Sequence, residues 1–228
     1  MKPEAESSSK KTRVFVIDDQ PIIRERLVEL INREADLTVC GEADEIRAGI
    51  EKLAQAKADL LVTGLSFKHA HGLGLIKDLR ARFPKLRMLV FSIYDELLYA
   101  ERAIRSGARG FIEKRAPTKE LLVAVRQVLN GEVYLSEKVA AATVRRFFGR
   151  PPVKPGSPLE QLSDRELEVL QLIGRGRSTR QIAAAFRVDV KTIETYRGRI
   201  KVKLKLANAA ELSEQAKRFL EQTYSTRV

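Results

Sequence analysis

Four polar residues and one glycine follow short apolar runs in the first half of the chain. Asp18 ends the run "RVFVID" and Asp19 follows it directly. The others end later runs, namely Gly64, Ser92 and Lys114. Paired carboxylates, a hydroxyl and an ammonium at one place would suit Mg²⁺ and a phosphoryl group, because Mg²⁺ prefers hard oxygen ligands and lysine neutralises phosphoryl oxygens. Gly64 is the exception, because it brings no side chain to such a pocket.

The pattern of apolar residues predicts how these side chains come together. Strands are predicted at residues 13–18, 37–43, 58–64, 87–92 and 108–114, and amphipathic helices near 21–33, 45–55, 72–83, 95–106 and 118–129. Strands that alternate with helices predict an α/β doubly wound, five-stranded parallel sheet. Sites in such sheets form at the carboxyl ends of the strands, which is where all of these residues fall.

The length of 228 residues favours two domains. We predict a disordered tail over 1–11, an α/β domain over 12–130, a helical linker and Pro/Gly-rich hinge over 131–160, and an all-α domain over 161–228. The hinge carries "GRPPVKPGSP", in which proline cannot continue a helix.

Helix-start signals recur in the last domain. Pairs three residues apart predict capping at Ser163 with Glu166, Ser178 with Gln181, and Asn208 with Glu211. Asp189 is predicted to cap a helix over 190–204.

The composition limits the class of protein. One cysteine, Cys40, excludes an intrachain disulfide, and no apolar run reaches the roughly 20 residues of a membrane helix. The polar N-terminus lacks the apolar stretch of a signal peptide. We expect a cytoplasmic protein without a membrane partner and without a cofactor.

The positive charge is unevenly distributed. Residues 1–144 hold 24 Lys/Arg against 21 Asp/Glu, whereas residues 161–228 hold 14 against 8. A basic last third favours a nucleic-acid surface there, although a solvated basic face is the alternative.

The first domain resembles a receiver domain of two-component response regulators, of flavodoxin-like fold. The motifs "VIDDQP", "LSF…HGLGLIKDLR", "VFSIYDE" and "GARGFIEKRAPTKELLVAV" carry this resemblance in order. It implies that the residue at the end of the third strand is an aspartate nucleophile, a position that Gly64 occupies here. It also implies switch roles for Ser92 and Phe111, and Phe111 is equally interpreted as a core aromatic.

Glycine cannot form an acyl phosphate, so we predict no phosphoacceptor and control without aspartyl phosphorylation. Asp18, Asp19, Ser92 and Lys114 are then the remnant of an acidic pocket, which could hold Mg²⁺ only weakly through its two aspartates.

Each remaining pocket residue also has a structural interpretation. Asp19 would cap the helix that begins around Pro21, and Asp18 would form an ion pair with Lys114. Thr63 and Ser66 are the nearby hydroxyls that could replace the missing nucleophile, but neither has an obvious general base. Asp59 lies about 15 Å away, at the other end of the strand. His69 and His71 form an H-x-H pair that could bind a transition metal, but histidines in a polar loop are usually solvated.

The last domain is similar to the LuxR-type helix-turn-helix. The motifs "LSDRELEVL", "GRSTRQIA" and "VKTIETYRGRIKVKL" carry this resemblance, and the whole chain resembles a NarL/FixJ-type regulator. In the helix from residue 190, Val190, Ile193, Ile200 and Leu204 are predicted to form the core side.

The opposite face of that helix is predicted to bind double-stranded DNA. By family position Glu194, Thr195 and Gly198 would face the bases, and Glu194 could accept from cytosine. The remaining residues of the predicted DNA-binding set are suited to the backbone, namely Lys191, Thr192, Arg197, Arg199, Lys201 and Lys203. Three arginines near the preceding helix could join them, namely Arg175, Arg177 and Arg180.

In the helix over 208–221, Leu212, Ala216 and Phe219 form an apolar stripe. The resemblance implies that this helix pairs two subunits, giving a homodimer on DNA; the alternative is packing within its own domain.

Together these observations predict a DNA-binding transcriptional regulator that is not an enzyme. The alternative is a signalling adaptor whose receiver-like domain docks a protein partner. A phosphatase-like enzyme with Asp18 as nucleophile is disfavoured, because its motif requires D-x-D spacing.

Overall fold

The first domain is built on a parallel sheet of five strands. The computed structural model describes residues 11–67, 73–148 and 157–225. Its strands are β1 (Thr12–Ile17), β2 (Leu37–Ala43), β3 (Leu60–Thr63), β4 (Arg87–Ser92) and β5 (Gly110–Glu113), in the order β2-β1-β3-β4-β5. All four pairings are parallel. This confirms the predicted fold class, and the change of direction between β1 and β3 opens a crevice at their carboxyl ends.

Helices cover both faces of the sheet, so its strands are apolar on both sides. Val14 and Val16 of β1 face one core and Phe15 and Ile17 face the other. Five helices follow the five strands in turn, namely α1 (Pro21–Asn32), α2 (Ile46–Ala56), α3 (Leu73–Arg82), α4 (Glu96–Ser106) and α5 (Thr118–Leu129). Gly107 ends α4 with a φ of 114°, which is the left-handed conformation expected of a glycine after a helix.

The second domain is entirely helical. After α6 (Glu137–Phe147), a 3-10 turn (Pro158–Gln161) leads into the last four helices, which are α7 (Asp164–Gly174), α8 (Thr179–Phe186), α9 (Val190–Leu204) and α10 (Ala209–Ser225). Residues 1–10 of the predicted tail and 149–156 of the predicted hinge lie outside the described residues. Among the residues that are described, no helix is both long and apolar enough to cross a membrane.

Three of the four predicted caps in this domain are confirmed. Ser163 with Glu166 and Ser178 with Gln181 form reciprocal capping boxes. The Asn208 side chain accepts from the Glu211 N–H at 3.0 Å. The prediction for Asp189 is wrong in its chemistry, because the residue sits at the start of α9 without a side-chain hydrogen bond to the helix.

The core side of α9 is narrower than predicted. Ile193 and Ile200 are fully buried, but Val190, in the first turn of α9, is 39% exposed. The stripe on α10 is buried within its own domain, where it packs with α7. In this structure the apolar stripe of α10 therefore has an intradomain partner.

Candidate receiver pocket and nucleic-acid interface

The sheet brings the predicted pocket residues to one edge. Asp18 follows β1, Gly64 follows β3, Ser92 ends β4 and Lys114 follows β5. The Lys114 ammonium lies 2.6 Å from Asp18 Oδ2, and the two side chains are 10% and 2% exposed. The predicted ion pair is confirmed, and its burial strengthens the attraction between the two charges.

Each carboxylate oxygen of Asp18 has a partner in this arrangement. Its Oδ2 faces Lys114, and its Oδ1 accepts from the Gln20 N–H at 3.0 Å. The prediction that Asp19 caps the first helix is wrong, because α1 begins at Pro21 after Gln20 and has no side-chain cap. Asp18 instead satisfies the backbone just before α1 through the bond to Gln20.

Gly64 is buried beside this ion pair. Its N–H donates to the Ile17 carbonyl at 3.1 Å, which continues the pairing of β3 with β1. A Cβ added at Gly64 would lie 3.5 Å from Asp18 Oδ2 and 3.6 Å from the Phe67 ring. Both are ordinary contact distances, so the fold does not require glycine at the end of β3.

The residues present fit Mg²⁺ poorly. Both Asp18 oxygens are engaged and Gly64 supplies none, which leaves Asp19 as the available carboxylate of this edge. Over the described ranges no group of three or more metal-binding side chains is gathered, and His69 and His71 lie outside those ranges. We therefore derive no chemistry through a metal ion.

Burial raises the pKa of the Asp19 carboxyl, and the neighbouring Asp18 charge raises this pKa further. The cations Lys114 and Arg175 act in the opposite direction. Asp19 is therefore an incompletely compensated negative charge at the mouth of the pocket.

The two predicted switch residues are both buried. Ser92 is 2% exposed, and its Oγ accepts from the Tyr94 N–H at 3.2 Å. Phe111 is 1% exposed within the main core, in agreement with its interpretation as a core aromatic. A switching role for either residue stays a prediction.

A residue of the second domain reaches this pocket. Arg175, which follows α7, donates to Ser66 Oγ at 2.6 Å and to the Tyr94 hydroxyl at 3.3 Å. In this structure Arg175 therefore contacts the first domain, whereas the sequence suggested a contact with DNA. No sequence signal marks this contact, because the two partners are 109 residues apart from each other.

One face of α7 contacts α3 and α4 of the first domain through a few side chains, and we call this contact the domain junction. Gln171 donates to the buried Tyr99 hydroxyl, and the Tyr99 ring stacks on Tyr94 with centroids 4.7 Å apart. Arg102 of α4 binds Asp164 at 3.1 Å.

One carboxylate is buried at the domain junction. Glu168 is 4% exposed, and its Oε1 accepts from the Gly74 N–H at 3.4 Å. Burial raises the pKa of Glu168, although Arg165 at 2.7 Å partly opposes this change. The junction thus contains a charge that is more costly to keep ionised than an exposed glutamate.

Helix α9 presents most of the predicted DNA-binding set to solvent. Lys191, Glu194, Thr195 and Arg199 are exposed, and four more are half-buried, namely Thr192, Arg197, Gly198 and Lys201. Lys203 differs, because its ammonium lies 2.6 Å from the buried Glu166 carboxylate. Lys203 therefore stabilises the start of α7, and we remove it from the side chains free to reach DNA.

Sequence reasoning missed Val202. It is 79% exposed, although it belongs to the same helix as the buried Ile193 and Ile200. At 100° per residue Val202 lies opposite those two residues, on the face that carries Lys191 and Thr195. An apolar residue on this polar face was detectable from its helical position alone.

Comparison with known proteins agrees with this geometry. Residues 14–126 match the family described as "Response regulator receiver domain", and residues 160–216 match "Bacterial regulatory proteins, luxR family". The oxygen regulatory protein NreC of Staphylococcus haemolyticus is 33% identical over 208 residues, which cover 90% of this chain and 96% of NreC.

Solved structures share the architecture. RcsB of Salmonella enterica serovar Typhimurium bound to the promoter rprA has a TM-score of 0.74 at 24% identity, covering 91% of this chain and 99% of RcsB. A structure of two RcsB dimers bound to two parallel DNAs has a TM-score of 0.68 at 25% identity, covering 90% and 98%.

The luxR family is described as bacterial regulatory proteins and NreC is named as a regulatory protein, in agreement with the prediction that the chain is not an enzyme. The match to NreC extends across both domains, at an identity and a coverage that establish common membership. The chain therefore belongs to the DNA-binding response regulators that join a receiver domain to a luxR-family domain.

Proposed function

We propose that this chain is a transcriptional regulator that binds double-stranded DNA through α9 and is controlled without aspartyl phosphorylation. The observation that carries the proposal is Gly64 at the end of β3, beside an Asp18 whose two oxygens are already bonded. A phosphoryl group would find no carboxylate nucleophile at this position. The same chain carries cations on the exposed face of α9, in its second domain.

The proposed DNA interface combines positioning and specificity. Lys191, Arg197, Arg199 and Lys201 would neutralise phosphates, while Thr192 would help to position the backbone. The side chains that would reach base edges are those of Glu194 and Thr195, whereas Gly198 has no side chain with which to read a base. Roughly 4–6 phosphate contacts would give a log–log salt slope of about −4 to −5 per monomer.

We further propose that the chain acts as a homodimer on DNA in the cytoplasm. The RcsB structure with two dimers on two DNAs supports dimer formation in a protein of the same architecture. On this chain α10 has its apolar stripe buried internally, so a partner would use other surfaces. Ile22 of α1 and Val123 of α5 are 80% and 50% exposed, and suit contact with a second copy.

Intact mass measured after incubation with acetyl phosphate and Mg²⁺ tests phosphorylation independence. We expect no added mass in the wild type, and a partial gain of about 80 Da in Gly64→Asp, because the added side chain would have room beside Asp18. Stoichiometric phosphorylation of the wild type would overturn this part of the proposal. An inert Gly64→Asp would indicate that the ion pair with Lys114 keeps Asp18 from serving the metal.

DNA binding is tested separately, with protein purified without a phosphodonor. We expect sequence-preferring binding in gel shifts with promoter fragments, and an affinity that changes little when acetyl phosphate is added. Complete absence of DNA binding would favour the second candidate, an adaptor whose exposed Ile22 and Val123 dock a protein partner.

A further inference from the structure

Gly198 lies in the middle of α9, where glycine destabilises a helix relative to alanine. An added Cβ at this position meets no atom within 4 Å. Its backbone is helical and does not have the positive φ that favours glycine. Neither packing nor backbone conformation therefore requires a glycine here, as far as the described residues extend.

Several other glycines of the chain have a visible reason. A Cβ at Gly174 would lie 2.4 Å from the Ala216 carbonyl oxygen, and a Cβ at Gly41 would lie 2.5 Å from the Phe15 ring. Gly107 has a positive φ instead. A glycine that the free chain does not need is explained when a partner approaches the helix backbone at that point.

The surroundings of Gly198 indicate the chemistry of that partner. Gly198 lines a hollow of about 210 Å³ between α9 and α10. Arg197 and Lys201 stand on either side of it along the helix, and Glu194 lies one turn before Gly198. The other lining residues are apolar, namely Ala209 and Leu212. Two cations and one carboxylate give the lining of this small recess a net charge of +1, which suits a singly charged anionic group.

The position of the recess on α9 also matters. At 100° per residue, Lys191, Thr195, Gly198 and Val202 fall within about 60° of one another, on the side opposite the buried Ile193 and Ile200. The recess lies at the α10 edge of this face. A helix inserted in a DNA groove would bring that edge against one strand of the duplex.

We propose that Gly198 is the point of closest approach between the α9 backbone and DNA, and that its recess seats one sugar–phosphate unit between Arg197 and Lys201. This inference rests on the proposed DNA-binding function. A DNA phosphate is favoured over a base edge because the recess is flanked by cations and lies between two helices. The missing side chain at Gly198 allows contact with the sugar–phosphate unit that a Cβ would obstruct.

A side-chain series at Gly198 in the full-length protein tests the proposal. Two duplexes of about 30 base pairs serve as probes, one selected by the protein from a random pool and one with the same bases scrambled. We expect Gly198→Ala to lower affinity for both duplexes by about tenfold, and Gly198→Leu to lower it further, because the loss follows side-chain volume. The melting temperature should be unchanged or higher in Gly198→Ala, because the added methyl group has open space in the free protein.

Ala140→Leu is the matched control. Ala140 is an exposed residue of α6, so the same enlargement there should leave both affinities unchanged. Unchanged binding by Gly198→Leu would overturn the proposal, as would a loss confined to the selected duplex, which would assign the recess to a base edge. If the wild type bound neither duplex, the proposed function itself would fail.

Discussion

The carboxyl edge of the sheet and the exposed face of α9 each carry a glycine that the fold does not require. An added Cβ would be accommodated at Gly64 and at Gly198. Their surroundings differ, because Asp18 and Lys114 beside Gly64 are paired with each other, whereas the cations of α9 near Gly198 are exposed or half-buried. Beside Gly64 the two buried charges neutralise each other, and on α9 the cations remain accessible. On the proposed function, the second region is the one that binds an external anion.

The largest expected effect comes from breaking the buried pair. Lys114→Ala would leave the Asp18 carboxylate buried without its cation, and should lower the free energy of unfolding by about 3–5 kcal/mol in urea titrations. The combined replacement Asp18→Asn with Lys114→Met removes both charges and should recover most of that loss. If Lys114→Ala were as stable as the wild type, the pocket would be more hydrated than its burial indicates.

The open surface is tested by removing two of its exposed cations. Lys191→Ala with Arg199→Ala should weaken DNA binding by about 10- to 100-fold and make the salt slope less negative by about 2. Fluorescence anisotropy at several salt concentrations measures both quantities. Lys57→Ala with Lys119→Ala removes the same charge from exposed positions of the first domain and should have little effect. Equal losses of affinity in the two double variants would mean that the effect comes from net charge and not from the position of the cations on α9.

The domain junction connects the two regions. Tyr99→Phe removes the acceptor for the amide of Gln171, a residue that is 1% exposed. The free energy of unfolding should fall by about 1–2 kcal/mol. Faster hydrogen exchange in α4 and α7 would report the loosened contact. Tyr196→Phe, in a tyrosine of α9 away from the junction, is the control. Unchanged exchange in Tyr99→Phe would indicate that other contacts of the junction, such as the ion pair of Arg102 with Asp164, hold these helices together.

The smallest expected effect is a pH dependence of the junction. The pKa of Glu168 is raised by burial, so the docked form binds its proton more tightly than the open form. Docking should therefore strengthen as pH falls from the raised pKa towards 4.5, and weaken as pH rises through that window. Through this residue the wild type should gain about 1–2 °C in melting temperature on going from pH 7 to pH 5, and Glu168→Gln should lose this gain. Glu51→Gln, at an exposed site, should retain the wild-type dependence.

Local patterns in the sequence predicted most of the elements. The sheet, the helices of both domains and the reciprocal caps at Ser163 and Ser178 follow from apolar periodicity and from side chains that bond to nearby backbone groups. The cap predicted at Asp19 was wrong, and Asp189 lies at the predicted N-cap position without the side-chain bond, because a capping residue type does not by itself fix the rotamer that the bond requires.

Partners that are distant in sequence were harder to predict. Lys203 fits a basic DNA-binding face by pattern, yet it binds Glu166 across the domain. Arg175 fits the same pattern, yet it reaches Ser66 of the first domain. Charge and periodicity describe which face a residue occupies, but they do not specify which neighbouring surface meets that face.

By itself the sequence determined the α/β fold, the convergence of Asp18, Gly64, Ser92 and Lys114 at one edge, and the absence of a carboxylate at Gly64. These features depend on residue identity and on periods of two and 3.6 residues, which are local properties of the chain. Only the tertiary structure decided that each Asp18 oxygen has a partner, that Arg175 faces the receiver pocket and that Gly198 opens on empty space. Those outcomes depend on distances between elements far apart in sequence, which are set by packing.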